Sequence, residues 1–446
     1  MTDKDNEIIG TPDPVTPYAN LDSDARSIMS DFEVNINQVG HGSFGRVYKS
    51  TYQDEEGKII EVAVKKINIR NNEGFPLSAI REISILKKYR HRNLVPFINS
   101  FVDPPKPNIN KKGNVSLVYE YAQHDLASLI KENIDFDLDC IKSIMFQILS
   151  GVKYIHDNYI LHRDIKPANI LMLNKGQVKL ADFGISRFFE KRKNQWKAYT
   201  NSVETLWYRA PELLLSECYY KTSIDMWSVG CVMAELFTKQ PLFKEQNAAN
   251  QIKAIFNFIG RPKEEELIRY YKINEGLDPE YAKNLDSILP ESGEVVEFNK
   301  KLIEQDKTKY LENCESAIDV IKGLLTFNVN KRFSAEQALN HEFFKGMDYD
   351  KAVNILNKKL QEDKFKNKEF HEKVIYVKKN EGLFKDMGNN NEANDEKYYS
   401  SAPKERKGHI IKKMEGYDLE ENKMEEEQPV QKEQEQNWNN LDDFMS

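Results

Sequence analysis

Cysteine is scarce: Cys140, Cys218, Cys231 and Cys314 are the four in 446 residues, and they show neither paired metal-ligand spacing nor disulfide-framework density. A disulfide-stapled scaffold is excluded, and a reducing compartment is expected. Long apolar runs are missing as well. No stretch approaches the roughly 18 residues needed to cross a bilayer, so no membrane partner is expected. The start, Met1-Thr2-Asp3-Lys4-Asp5-Asn6-Glu7, is too polar for a secretory signal. These features lead to the expectation of a soluble intracellular protein. Excess positive charge is absent too: a net charge of −7 leaves no global footprint for direct nucleic-acid binding. What the chain has is length, enough for a large core and for more than one compact unit.

Residues 1–30 are polar and carry Thr11-Pro12, Asp13-Pro14 and Thr16-Pro17, which reads as a flexible N-terminal extension. The Thr-Pro pairs fit either sites for a proline-directed kinase or a plain linker. From Phe32 the pattern turns to alternating apolar segments and then to helical ones, up to Phe344. The tail, 347–446, is rich in Lys, Glu, Asn and Gln and short of apolar residues, so most of it is expected to be disordered. Its end, Trp438-Asn439-Asn440-Leu441-Asp442-Asp443-Phe444-Met445, mixes aromatic and acidic residues, and a docking helix and an uncommitted tail both fit it.

One stretch carries chemistry. His162-Arg163-Asp164 is followed by Lys166 and Asn169, and Asp182-Phe183-Gly184 comes shortly after. A carboxylate to orient an attacking hydroxyl, a lysine beside it, and an amide and second carboxylate for Mg²⁺ are the groups that phosphoryl transfer needs. Upstream, Val39-Gly40-His41-Gly42-Ser43-Phe44-Gly45-Arg46-Val47 suggests a hairpin whose glycines let backbone approach phosphates. A dinucleotide-binding unit would open a helix here, and none follows. Instead Val62-Ala63-Val64-Lys65 reads as a strand that puts a lysine under the hairpin. Pro76 is placed to start a helix that carries Ile80, Arg81, Glu82, Ile83 and Leu86. Ile80 and Ile83 share a face, and Glu82 is the candidate ion-pair partner of Lys65.

Together these motifs resemble the eukaryotic protein kinases over roughly residues 32–346. Pro76-Leu77-Ser78-Ala79-Ile80-Arg81-Glu82 resembles the cyclin-binding helix of the cyclin-dependent kinases. The preceding Asn72-Glu73-Gly74-Phe75 is most similar to the transcription-elongation branch, which includes the catalytic subunit of positive transcription elongation factor b and the fungal Bur kinases.

The resemblance implies an α+β, bilobal kinase domain over 31–346, with a β-rich small lobe to about 121 and a helical large lobe beyond. It implies ATP and Mg²⁺, with a cyclin and protein serine or threonine as partners. By resemblance the substrate is the RNA polymerase II repeat tail or an elongation factor, and the location is the nucleus. Carried over residue by residue, Asp164, Lys166 and Thr205 are catalytic, and Asn169 and Asp182 hold metal. Lys65, Glu82, Gly40, Gly42 and Gly45 serve the phosphates. Val39, Val47, Ala63 and Leu171 sandwich adenine, with Tyr119 behind it. The backbones of Glu120 and Ala122 bond the base, and Asp125 lies near the ribose. Thr200 matches the activating phosphosite, and Arg81, Arg163 and Arg187 match its cradle, since a phosphate needs several cations. Glu212 is expected to pair with Arg332, and Asp225 to support the catalytic loop.

Three positions depart from the pattern. Glu204 replaces a small apolar residue beside the +1 position, which puts strict proline preference in doubt. Ser43-Phe44 removes the inhibitory tyrosine of cell-cycle members. Asn328-Val329 replaces Asp-Pro, with an expected effect on local stability alone. Other readings are a cell-cycle or other proline-directed kinase and a pseudokinase scaffold. The scaffold is opposed by the filled catalytic positions, and the mitogen-activated type by Asn201-Ser202 after Thr200, where that group has Thr-x-Tyr.

Overall fold

Alternation along one strand decides which way Lys65 faces. In β3 (Ile59–Asn68), Val62 and Val64 pack with Tyr52, Ile98 and Val118 on one face of a sheet. Ala63 and Ile67, on the opposite face, join the main core with Val115, Leu117 and Tyr119. Lys65 therefore shares the inner face, as the two-residue side-chain period of a strand requires. The computed structural model describes residues 38–42, 45–53, 57–69, 75–103, 113–189, 206–217, 220–268, 270, 297–365 and 368–371. Among these, β1 (Gln38–Gly42), β2 (Gly45–Gln53), β3, β4 (Phe97–Asp103) and β5 (Asn114–Glu120) form an antiparallel sheet in the order β1-β2-β3-β5-β4. Gly42 pairs with Gly45 across the first hairpin. A Cβ on Gly45 would strike the carbonyl of Lys66, so no other residue fits there without moving β3.

The helix between β3 and β4, α1 (Leu77–Lys88), begins directly after Pro76, which occupies the cap position. It buries Ala79, Glu82, Ile83, Ile85 and Leu86. Ile80, expected on the Ile83 face, is 39% exposed, and Leu77 is 64% exposed. The buried stripe centres on 79, 82, 83 and 86, and Ile80 falls at its outer edge.

Beyond β5 the chain becomes mainly helical. The short β6 (His124–Asp125) runs into α2 (Leu126–Lys131), and α3 (Leu138–Asp157) follows behind an Asp137 cap on Cys140 N–H at 2.8 Å. Then come β7 (Ile160–Leu161), β8 (Ile170–Met172), β9 (Val178–Leu180) and β10 (Arg187–Phe188). β10 pairs with β7, and β6, β8 and β9 make a small sheet in that order. A 3-10 turn at Leu206–Tyr208 precedes α4 (Pro211–Leu214). α5 (Ser223–Thr238) is buried from Ile224 to its end and lies inside the lobe. Around it are α6 (Ala248–Ile259), α7 (Phe298–Gln305), α8 (Glu315–Leu324) and α9 (Ala335–Leu339). The result is the α+β, two-lobed architecture expected from the sequence.

Order does not stop at 346. The last helix, α10 (Tyr349–Leu360), lies inside the segment whose composition promised little structure. Ala352, Leu356 and Leu360 recur at four-residue spacing and are buried, and the helix packs along α3. Gly176, at φ +85°, makes room: a Cβ there would collide with the backbone of Val353 and Asn357. Phe365 is buried beside His124, and the Phe370 carbonyl accepts from the amide of Asp125 at 2.9 Å. Three apolar positions on one helical stripe, together with two aromatics, suffice to anchor a charged segment. The N-terminal extension, 1–30, lies outside the described residues.

Candidate active site

Lys65 is the hub. Its Nζ lies 2.8 Å from Glu82 Oε2 on α1 and 2.7 Å from Asp182 Oδ1, next to Phe183. Burial alone would lower the Lys65 ammonium, but Asp182 and Glu82 outweigh it, so its pKa is raised and it stays charged. Burial likewise works to raise Asp182, yet Lys65 holds that carboxyl below its ordinary range. Glu82, wholly enclosed, is pushed up by burial against the pull of Lys65. Tyr119, on the strand behind, is driven up by burial and the nearby Glu82, which keeps its hydroxyl protonated.

A second cluster forms on the loop after β7. Lys166 Nζ is 2.9 Å from Asp164 Oδ2, and Asn169 Nδ2 donates at 2.8 Å to both the carbonyl and Oδ2 of Asp164. The loop hangs from α5. Asp225 Oδ2 accepts from the backbone N–H of His162 at 2.9 Å, and Oδ1 from that of Arg163 at 2.8 Å. His156 on α3 is also 2.8 Å from Asp225 Oδ2. Burial would raise Asp225, but His156, His162 and the Arg163 amide hold it low. Arg163 and Asp182 both have left-handed backbones, at φ +71° and +66°. Such strain persists in non-glycine residues where surrounding contacts enforce it, and it concentrates at working sites.

Other expected positions gather around the hub. Val47 faces Lys65 across the β2–β3 ladder, and Ala63 faces Tyr119 across the β3–β5 ladder. Leu171 pairs with Asp125 in the small sheet. Val39, Gly40 and Gly42 lie on β1, and Glu120 and Ala122 lie where β5 leaves the sheet. Lys179 Nζ is 3.4 Å from Glu120 and 3.2 Å from the carbonyl of Arg92. Asp125, expected near a ribose, caps α2: its oxygens accept from Ser128 N–H at 2.7 Å and Ser128 Oγ at 2.8 Å. Arg81 and Arg163 are close enough that, after burial, the Arg163 charge is what lowers Arg81. Arg187, the third expected cradle residue, pairs through its backbone with Leu161, two residues before Arg163, and its Nη1 donates to the Ser186 carbonyl at 3.1 Å. Thr200, Glu204 and Thr205 lie outside the described residues. Arg332 and Glu212 meet in a buried two-point pair at 2.7 and 2.9 Å.

The sequence reading missed what the tail adds. Glu369 Oε1 is 2.6 Å from Lys49 Nζ on β2, while Glu369 Oε2 accepts from Tyr121 OH at 2.9 Å. His371 Nε2 lies 2.9 Å from the same hydroxyl. Burial pushes His371 down to about 4, leaving it neutral. A cavity of about 320 Å³ opens here between Ser128, Lys131, Glu132 and residues Lys368 to His371. The only sequence signal was Phe365 and Phe370 within a charged run.

A divalent cation has suitable donors. Asn169 spends its amide N–H on Asp164, which leaves its carbonyl oxygen, and Asp182 meets Lys65 through one carboxylate oxygen. Two hard oxygen donors suit a divalent cation whose remaining positions are filled by water or phosphate.

Comparison with known proteins agrees with this geometry. Residues 34–344 match the protein kinase domain. The chain is 39% identical to human cyclin-dependent kinase 9 over 311 residues, covering 69% of this chain and 78% of that one. It is 36% identical to cyclin-dependent kinase G-2 of Oryza sativa subsp. indica over 351 residues, 78% of this chain and 46% of that one. The chain thus spans about half the length of the rice relative. Among solved structures, it is similar to a chain of the yeast RNA Pol II CTD kinase CTDK-1 complex, with a TM-score of 0.55 and 34% identity, covering 68% of this chain and 90% of that one. With that match and the Lys65 and Asp164 clusters, the chain belongs to the protein kinase family, within its cyclin-dependent kinases.

Proposed function

We propose that this chain is a cyclin-dependent serine/threonine kinase that transfers the γ-phosphoryl group of ATP to protein hydroxyls. The observation that carries the reading is convergence. Lys65, Glu82, Asp164, Lys166, Asn169 and Asp182 come from four separate segments, namely β3, α1, the loop after β7 and the stretch after β9, and meet in two adjoining clusters.

Asp164, held by Asn169, accepts the proton of the attacking hydroxyl and orients it. Lys166, paired with Asp164, offsets charge on the transferring group. Lys65, kept cationic by its two carboxylates, grips the α- and β-phosphates under the glycine hairpin. Val47, Ala63 and Leu171 enclose the base, and the backbones of Glu120 and Ala122 read its edge. Bound through Asn169 and Asp182, Mg²⁺ would neutralise charge on the phosphates.

A cyclin is the fitting partner for the exposed Leu77 and Ile80 of α1, because pressure on that helix acts directly on Glu82. Phosphate on Thr200 would then draw Arg81, Arg163 and Arg187 together, tying α1 to the catalytic loop. The yeast neighbour is a kinase of the RNA polymerase II C-terminal domain, and the same substrate class, in the nucleus, is the reading for this chain. Glu204 bears on whether a +1 proline is required.

The test is phosphotransfer to a heptad-repeat peptide by the chain purified with its cyclin. Asp164→Asn should lower kcat about a thousandfold, within the range for losing a general base, while ATP binding persists. Retained turnover in that variant refutes the assignment.

A further inference from the structure

Among the described residues, a cavity of about 770 Å³ opens in the large lobe, between the C-terminal ends of α6 and α8 and the start of α7. Its size suits a ligand site, and no residue of the phosphoryl-transfer clusters lines it. Pro262, Phe298 and Leu325 are buried, whereas Lys263, Lys300, Lys322 and Lys331 are exposed, so the floor is apolar and the rim cationic. Arg261 and Lys300 are already spent, at 2.9 Å from Glu264 and 3.0 Å from Glu297. Lys263, Lys322 and Lys331 make no ion pair among the described residues. The remaining acid of the wall is satisfied locally: Glu266 Oε1 accepts from Asn328 Nδ2 at 2.7 Å, and Oε2 from the Lys263 N–H at 3.2 Å. Asn328 departs from the kinase pattern, in which aspartate is usual. An aspartate would set a second carboxylate against Glu266 and cancel part of the rim charge. The asparagine turns that contact into a hydrogen bond. Five cations then face two carboxylates, on a chain whose net charge is −7.

We propose that this cavity docks an acidic segment of a partner protein. One aromatic side chain of that segment sits on the apolar floor, and flanking aspartates or glutamates meet Lys263, Lys322 and Lys331. Charge complementarity selects the occupant. Lysines are point charges, and three of them on separate segments suit separate carboxylates. A lone phosphate is held better by converging guanidinium forks, and the one arginine here is already paired. A nucleic-acid strand would meet Glu266 and Glu297 in the wall, and its phosphates would gain nothing from an apolar floor. The docking needs neither ATP nor phosphotransfer.

The experiment is fluorescence anisotropy of a labelled peptide, Asp-Glu-Asp-Phe-Glu-Asp-Asp, titrated with the full chain. Replacing the peptide's phenylalanine with alanine should weaken binding about tenfold, the loss expected when an anchor no longer buries its ring. Lys322→Glu combined with Lys331→Glu should weaken it by about tenfold or more. Raising salt from about 0.05 M to about 0.5 M should weaken the wild type several-fold and the double variant little. Asn328→Asp should weaken it about three- to fivefold, the effect of one exposed like charge. Melting temperatures check that each variant is folded, and Lys322→Glu decides alone if the double variant is not. Asp164→Asn should bind the peptide as the wild type does, so failure of the kinase reading and failure of the docking site are told apart. Absence of peptide binding overturns the proposal. So does binding that ignores both the lysine reversals and the lost phenylalanine. A DNA oligonucleotide that binds more tightly than the peptide and depends on the same lysines overturns it too, and makes the cavity a nucleic-acid site.

Discussion

Replacing Asp225 with asparagine tests how the catalytic loop is suspended. Both carboxylate oxygens accept backbone N–H groups of the loop, at 2.9 and 2.8 Å, and the site is fully enclosed. Asparagine keeps one acceptor and points an NH2 group at the other N–H. One buried bond to a charged acceptor is lost, about 1.5–3 kcal/mol, and the surviving bond weakens by about 1 kcal/mol. A total of about 3 kcal/mol should lower Tm by roughly 6 °C, at about 2 °C per kcal/mol for a domain of this size. Because the loop carries Asp164, kcat should fall about a hundredfold, the typical effect of misplacing a catalytic group by about an ångström. The Asp225 carboxyl is held below its ordinary range, so its contribution is complete above about pH 4 and fades as pH falls through the folded value. Thermal melts of the wild type and Asp225→Asn should therefore differ most near neutrality and draw together as pH falls below about 4. A Tm loss under about 2 °C at neutral pH, or a difference that persists unchanged into acid, refutes the account.

Two further substitutions probe the frame around the site. Arg332→Met leaves Glu212 buried without its cation and should cost about 3–5 kcal/mol, whereas adding Glu212→Leu should recover much of it; urea denaturation of the single and double variants compares them. Glu369→Gln keeps an acceptor for Tyr121 but removes the half-exposed pair with Lys49, worth about 0.5–1 kcal/mol. Protease cleavage after 365 should speed up about threefold at low salt and much less at about 1 M salt, and equal rates at low salt would count against a stabilising role for the Glu369–Lys49 pair.

How far the site could be read from sequence depends on where each residue's signal lies. The Asp164 loop and Asp182 were legible because their roles demand fixed spacings within one stretch of chain. Lys65 was legible because strand alternation fixes its face, and Glu82 followed as the acid on the next helix. Ile80 was misplaced because a helical stripe is read only to within about one residue's rotation. The cap that Asp125 forms on α2 went unread, although its spacing to Ser128 already allowed it. Glu369 and His371 were invisible because their partners, Lys49 and Tyr121, lie about 250 to 320 positions earlier, and a charged composition hides a long-range contact.

The packing of α10 on α3 has a consequence for synthesis. The ribosome delivers this chain from its N-terminus, and α3 emerges about 200 residues before the helix that covers it. Until Phe365 is out, the surface that receives Ala352, Leu356 and Leu360 is bare, and so is the edge of His124. A chain stopped at 346 would carry every catalytic residue and still display an apolar strip to any chaperone or neighbouring copy. Completion of the large lobe is thus timed by a stretch that performs no chemistry.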